Sequence, residues 1–283
     1  QFFISLFVSF TLLGEQALFN GKDLEGWDGN PLHWSVEDGA IVGVNTKENP
    51  TKGNTFLIWK GGELQDFDLS LECKIDSGNS GIQYRSFIKP GEHDGWRIGG
   101  YQADFESGDK YSGICYGEAF RGILCMRGDR TTLSRDQSGK LIKSVEKIGE
   151  TGKLGLSVKK KDWNTYRIVA DGYRFEHYIN GEKMCELIDE DEKERRAEGL
   201  LALQVHAGPP MKVYFKNIVP LLGGVVTGDF QAYRYLNKSS KNFPCREEFL
   251  SLMTRAQCFS RCESRTLMGG ASFLYKGHVH KPD

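Results

Sequence analysis

The chain has 283 residues, 39% hydrophobic and 12% aromatic, with 34 glycines against 8 prolines. This composition suits one sizeable core and excludes a disordered chain, which lacks the aromatics that offset the entropy of ordering. Aperiodic glycines and missing heptads exclude collagen and coiled coil. Lys and Arg number 37 against 38 Asp and Glu, a net charge of −1. No basic field exists to hold phosphates, so nucleic acid is not expected as a partner.

In chain order, residues 2–13 (FFISLFVSFTLL) form the only long apolar run. About 12 residues cannot span a bilayer, which takes roughly 20, so no transmembrane segment is expected. The run fits the apolar region of an export signal, followed by small and polar residues (Gly14, Glu15, Gln16, Ala17) near a cleavage point. Residues 1–16 are therefore expected to be a signal-peptide remnant, and the protein to be periplasmic, cell-surface or secreted. A buried terminal strand is the alternative.

From residue 18 to 222 short strand signals alternate with turn residues: 40–45, 55–61, 67–75, 81–87, 96–105, 112–117 and 121–127. The stretch 163–188 (WNTYRIVA-DG-YRFEHYI-NG-EKMCELI) then predicts a three-stranded meander. Asp171-Gly172 and Asn180-Gly181 are both dipeptides suited to type I′ turns. Strands at 200–208 and 211–222 close residues 17–222 as one all-β domain, an antiparallel β-sandwich. Trp163 is expected to be a core ring, and 188–199 (IDEDEKERRAEG) a solvated loop or short helix.

Beyond Leu222 the character changes. Residues 223–283 are net positive, carry Cys245, Cys258 and Cys262, and show few alternating strands. They read as a separate tail of unknown role, with a helix expected over 247–262. Cys258, Cys262, His278 and His280 do not match a common zinc spacing. The seven cysteines are an odd number, and Cys73, Cys115, Cys125 and Cys185 look like small buried packing residues. A Cys115–Cys125 bridge stays open at this point.

No Walker A sequence, strand–helix G-x-G-x-x-G, G-x-S-x-G or H-E-x-x-H occurs. What remains is a set of polar residues inside strands. Period-two alternation puts Gln83 and Arg85 on one face, and separates Tyr101, Ala103 and Phe105 from Gln102 and Asp104. His177 sits mid-strand, Gln204 and His206 share a face, and Glu118 and Arg121 flank a turn. Amides, carboxylates and guanidinium groups among aromatic rings suit a sugar, whose hydroxyls need partners and whose ring faces are apolar. Each also has a plainer reading: His177 as a satisfied core histidine, Arg85 as a partner of Glu72 or Asp76, Glu118 as surface, His206 as a strand-end hydrogen bonder.

FNGKDLEGW (19–27), WSVEDG (34–39), LQDFDLSLE (64–72), NSGIQYRS (79–86) and GYQADF (100–105) resemble the 3-keto-disaccharide hydrolase domain family. WNTYRIVADG (163–172), HYING (177–181) and LQVHAGPPMKVYFKNI (203–218) extend the resemblance over residues 18–222. It implies a concanavalin A-like jelly roll with a concave sugar face, acting on glycosides oxidised to a ketone at C3. Such a ketone acidifies the C2 hydrogen, so the C1 substituent can leave by elimination and water can then add. Carried onto this sequence, the resemblance implies Asp104 and His206 as the acid/base pair. Arg85 would polarise the ketone, Glu118 would be an alternative base, and Gln83, Tyr101, Gln102, Arg121, His177 and Gln204 would bind the substrate. A divalent cation would do the same work as Arg85, and the sequence leaves both open. The alternative is a non-catalytic, lectin-like module that only holds glycan.

Overall fold

The structure, a computed structural model, describes residues 5–6, 17–92, 95–220, 255, 259–267 and 272–279. In chain order the strands are β1 (Ser5–Leu6), β2 (Trp27–Asp28), β3 (Trp34–Glu37), β4 (Ala40–Asn45), β5 (Thr55–Trp59), β6 (Phe67–Ser77), β7 (Asn79–Ile88) and β8 (Ile98–Glu106). Next come β9 (Cys115–Glu118), β10 (Gly122–Cys125), β11 (Asp129–Arg135), β12 (Leu141–Lys147), β13 (Asn164–Asp171), β14 (Arg174–Ile179), β15 (Glu182–Asp189), β16 (Leu200–Val205) and β17 (Met211–Pro220). β18 (Phe259–Leu267) and β19 (Ser272–Val279) follow.

Residues 17–230 form one unit. It is the expected all-β sandwich: a seven-stranded sheet, β10-β9-β8-β7-β16-β5-β2, and a nine-stranded sheet, β12-β11-β15-β14-β13-β6-β17-β4-β3. Pairing is antiparallel apart from the parallel β11–β15 pair. Alternation explains the layers. On β6, Phe67, Leu69, Leu71, Cys73 and Ile75 point inward while the residues between them are half-exposed. They meet Ile82 and Tyr84 of β7 and Tyr101, Ala103 and Phe105 of β8 in one core. Rings interlock across it, with Tyr101 and Phe175 at 4.5 Å and Phe67 and Tyr84 at 5.8 Å between centroids.

The meander over 163–188 is present, with one difference in its turns. Asn180 (φ 51°) and Gly181 (φ 87°) join Ile179 to Glu182 as a type I′ turn requires. Asp171 instead pairs with Arg174, so the other loop is Gly172-Tyr173, and only Gly172 has a positive φ. Trp163 is not a core ring. It lies half-buried outside the nine-stranded sheet, where the Lys216 ammonium stands 4.0 Å from its centroid and Tyr214 6.3 Å away. Segment 188–199 is not simply solvated, because Asp189 and Asp191 are buried against Arg121 and Arg135. Cys115 and Cys125 do not form a bridge: they are buried free thiols, as are Cys73 and Cys185.

The second unit comprises residues 1–16 and 231–283. Its described part is a three-stranded sheet, β1-β19-β18, in which Ser5 and Leu6 pair with Lys276 and Tyr275. The helix expected over 247–262 is overturned at its end, because 259–262 pair as strand with β19. The rest of the apolar run 2–13, together with Cys258 and His280, lies outside the described residues.

Candidate functional site

The seven-stranded sheet is unusual in being buried on both faces through β5, β7, β8 and β16. Its inner face is apolar. Its outer face carries Gln83, Gln102, Asp104 and Gln204, all buried. A cavity of about 600 Å³ opens there, lined by Asn54, Arg97, Gln102, Asp104, Tyr116, Glu118 and His206 among others. That volume admits a sugar with part of its aglycone.

A directed chain of hydrogen bonds crosses the floor. Ser86 Oγ donates to Gln83 Oε1 at 2.9 Å, and Gln83 Nε2 donates to Gln102 Oε1 at 2.7 Å. Gln102 Nε2 then donates to Asp104 Oδ1 and, at 3.3 Å, to Gln204 Oε1. Gln204 Nε2 donates to Glu118 Oε2 at 3.4 Å. Because the Glu118 carboxylate at its end accepts, the chain fixes which end of each amide faces which partner.

The two carboxyl groups differ in their surroundings. Glu118 also accepts from Asn54 Nδ2 at 3.1 Å and pairs with the Arg97 guanidinium at 2.5 Å. Asp104 is pushed up to about 8, chiefly by burial; the Gln102 amide opposes the rise, while the Glu118 and Glu106 charges add to it. At neutral pH Asp104 therefore holds its proton in a cavity that Glu106 and the Arg97-paired Glu118 also line. His206 follows β16 at the cavity wall and stays exposed. Its Nδ1 faces the Ala207 carbonyl at 2.5 Å. A carbonyl can only accept, so Nδ1 carries the hydrogen, and in the neutral ring the lone pair is then on Nε2.

Of the residues singled out from the sequence, Asp104, His206, Glu118 and Gln102 line the cavity, and Gln83 and Gln204 belong to the chain beneath it. The others lie elsewhere. Arg85 does not share the face of Gln83, because β7 bulges between Tyr84 and Phe87 and Arg85 takes a positive φ of 44°. Its N–H groups go to the carbonyls of Gln65, Gly172 and Arg196 and to Asp66, not to Glu72 or Asp76. Tyr101 faces the core and donates to Asp189 at 2.5 Å; Arg121 pairs with Asp189 and Asp191. His177 is a satisfied core histidine between the Ile114 carbonyl (3.1 Å) and the Tyr84 hydroxyl (2.9 Å), held neutral by burial that brings it down to about 4. Glu118 is buried, not surface.

Arg97 and Asn54 were not picked out by sequence reasoning. Asn54 stands one residue before β5, outside any run read as strand; Arg97 falls within the 96–105 strand signal but stands one residue before β8, so alternation did not mark its face. Among the described residues, no three His, Cys, Asp or Glu side chains stand together as metal ligands.

Two parts of the chain are similar to different proteins. Residues 204–278 match the ubiE/COQ5 methyltransferase family. Over 66 residues the chain is 53% identical to the ubiquinone/menaquinone biosynthesis C-methyltransferase UbiE of Bdellovibrio bacteriovorus, covering 23% of this chain and 28% of that protein. It thus spans little more than a quarter of that curated relative's length. Among solved structures, a Parabacteroides distasonis protein provisionally assigned as a glycosyl hydrolase is 22% identical, with a TM-score of 0.45 over 72% of this chain and 91% of that one. A carbohydrate-binding module from Bacillus subtilis is 15% identical, with a TM-score of 0.41 over 69% and 94%. Residues 14–219, most of the chain and all but the last residue of the two-sheet sandwich, match the 3-keto-alpha-glucoside-1,2-lyase-like domain, and the chain belongs to that carbohydrate-acting family.

Proposed function

We propose that the sandwich domain cleaves the glycosidic bond of 3-keto-glycosides by elimination followed by hydration. The observation that carries this reading is the protonated Asp104 carboxyl set in the same cavity as the Arg97–Glu118 ion pair and the His206 imidazole. His206 Nε2 takes the proton from C2, and the electrons of that C–H bond form the C1–C2 double bond conjugated with the C3 ketone. The C1–O bond breaks, and Asp104 gives its proton to the leaving oxygen. Arg97 takes the place first expected for Arg85, facing the charge that builds on the C3 oxygen. In the hydration step Asp104 takes a proton from water as the hydroxyl adds to C1, and His206 returns its proton to C2, so both groups are restored and the net change is hydrolysis.

The test is mass spectrometry of the protein incubated with 3-keto-disaccharides beside their unoxidised parents. Release of 3-keto-glucose from the oxidised set alone supports the reading. Retained glycan binding without release from either set overturns it in favour of a lectin-like module. We further propose export, on the apolar run 2–13, checked by fractionating cells that express the chain.

A further inference from the structure

The Gln102 amide can cross β7 only because position 81 has no side chain. Gly81 pairs with Asp104 on β8 and lies between that strand and β16. A Cβ placed on Gly81 would stand 2.6 Å from Cγ, 2.7 Å from Cδ and 2.8 Å from Nε2 of Gln102. Its φ is not positive, so no turn or left-handed backbone explains the glycine. What it makes is a seat, in which the Gln102 Nε2 group lies between Asp104 Oδ1 and Gln204 Oε1.

We propose that Gly81 is a positioning residue: its missing side chain seats the Gln102 amide against Asp104, and so sets how readily the Asp104 carboxyl gives up its proton. The inference rests on the proposed function for its link to turnover, but not for its link to Asp104. Several groups face this carboxyl. Glu118 and Tyr116 come from β9, Glu106 from β8 itself, and Arg97 and His206 share the cavity. From the core side, the Tyr166 hydroxyl of β13 donates to the Asp104 carbonyl at 3.2 Å, and the Cys115 thiol lies close enough to feel its charge. Among these, Gln102 is the group whose hydrogen bond favours the ionised form against burial.

The experiment is a carbon-13 NMR titration of carboxyl groups in the full chain, with the Asp104 signal assigned by its loss in Asp104→Asn. In Gln102→Met the donor is gone, and the Asp104 midpoint is expected to rise by about one pH unit or more above the wild type. Gly81→Ala should raise it in the same direction, because the new methyl displaces the flexible end of Gln102 rather than backbone. In the double variant the Gly81 effect should vanish, since its route is already cut. The alkaline limb of the pH–rate profile should move with the midpoint. An unmoved midpoint in a folded Gln102→Met, or additive shifts in the double variant, overturns the proposal. If Gly81→Ala does not fold, Gln102→Ala in place of the methyl insertion tests the same seat, and an unmoved midpoint there is equally fatal. The titration needs no substrate, so inactivity of the wild type on 3-keto-glycosides sinks the proposed function alone.

Discussion

The outer faces of the two sheets treat charge in opposite ways. On the nine-stranded sheet, Arg167 pairs with Asp68, Lys183 with Glu176 and Arg130 with Glu146, all in reach of water. Such exposed pairs contribute about 0–1 kcal/mol each and keep the face soluble. On the seven-stranded sheet the outer face is buried, and beside the Arg97–Glu118 ion pair its polar groups are mostly neutral amides. Asp104 has no cation among the groups that shift it. A third region sharpens the contrast: Arg121, Asp189, Asp191 and Arg135 are also largely buried, yet every carboxylate there meets a guanidinium. Where charge serves the fold it is neutralised; at Asp104 it is left to burial to suppress, which is what a proton donor requires.

The contrast can be broken at either end. Asp104→Asn keeps the shape and removes the proton, and should lower turnover on a 3-keto-glycoside by about 10²–10⁴-fold with folding retained. Steady-state kinetics beside circular dichroism checks both halves; loss of folding would mark Asp104 as structural. Arg121→Met should do the reverse, destabilising by about 3–5 kcal/mol because two buried aspartates lose a partner. Urea unfolding reads the loss, while turnover per folded molecule should hold.

Stability against pH separates the outer face of the seven-stranded sheet, where Asp104 sits, from the core side of the nine-stranded sheet, where His177 sits. Asp104 has a folded pKa raised above its unfolded value, so its contribution is full below about 4 and is lost as pH rises through about 8. His177 has a lowered one: the folded state resists the proton, so stability falls as pH drops from about 6.5 through about 4. Unfolding midpoints measured from pH 4 to 9 should therefore decline on both sides. Asp104→Asn should flatten the alkaline decline and leave the acid one. The smallest effect is expected at Trp163. With its ring half-buried against lysines, Trp163→Ala should cost about 1 kcal/mol, well short of the loss for a core tryptophan. A loss above about 3 kcal/mol in thermal unfolding would contradict the surface placement.

Alternation made most of the sandwich legible, because a sheet with one apolar face writes its period into the sequence. It correctly separated Tyr101 and Phe105 from Gln102 and Asp104. It failed where parity breaks: the bulge after Tyr84 turned Arg85 away from Gln83. β11 escaped notice because it buries Asp129 and Thr131 along with Leu133, and β12 because it is an almost wholly exposed edge. The buried clamp of Asp189 and Asp191 was hidden inside a run of charges that looks solvated. Arg97 and Asn54 reach the cavity from strand ends far apart in sequence, a convergence that no local pattern records.

β17 has a consequence for the order in which this protein comes into being. It lies between β6 and β4, in the interior of the nine-stranded sheet, and is the last strand of the sandwich to be synthesised. Until residues 211–220 leave the ribosome, β6 and β4 cannot be joined, and the Phe67–Ser77 edge has no neighbour on that side. Closure is thus a single late insertion between partners far apart in sequence, the kind of step that sets a slow folding rate and leaves a sticky edge waiting for its complement.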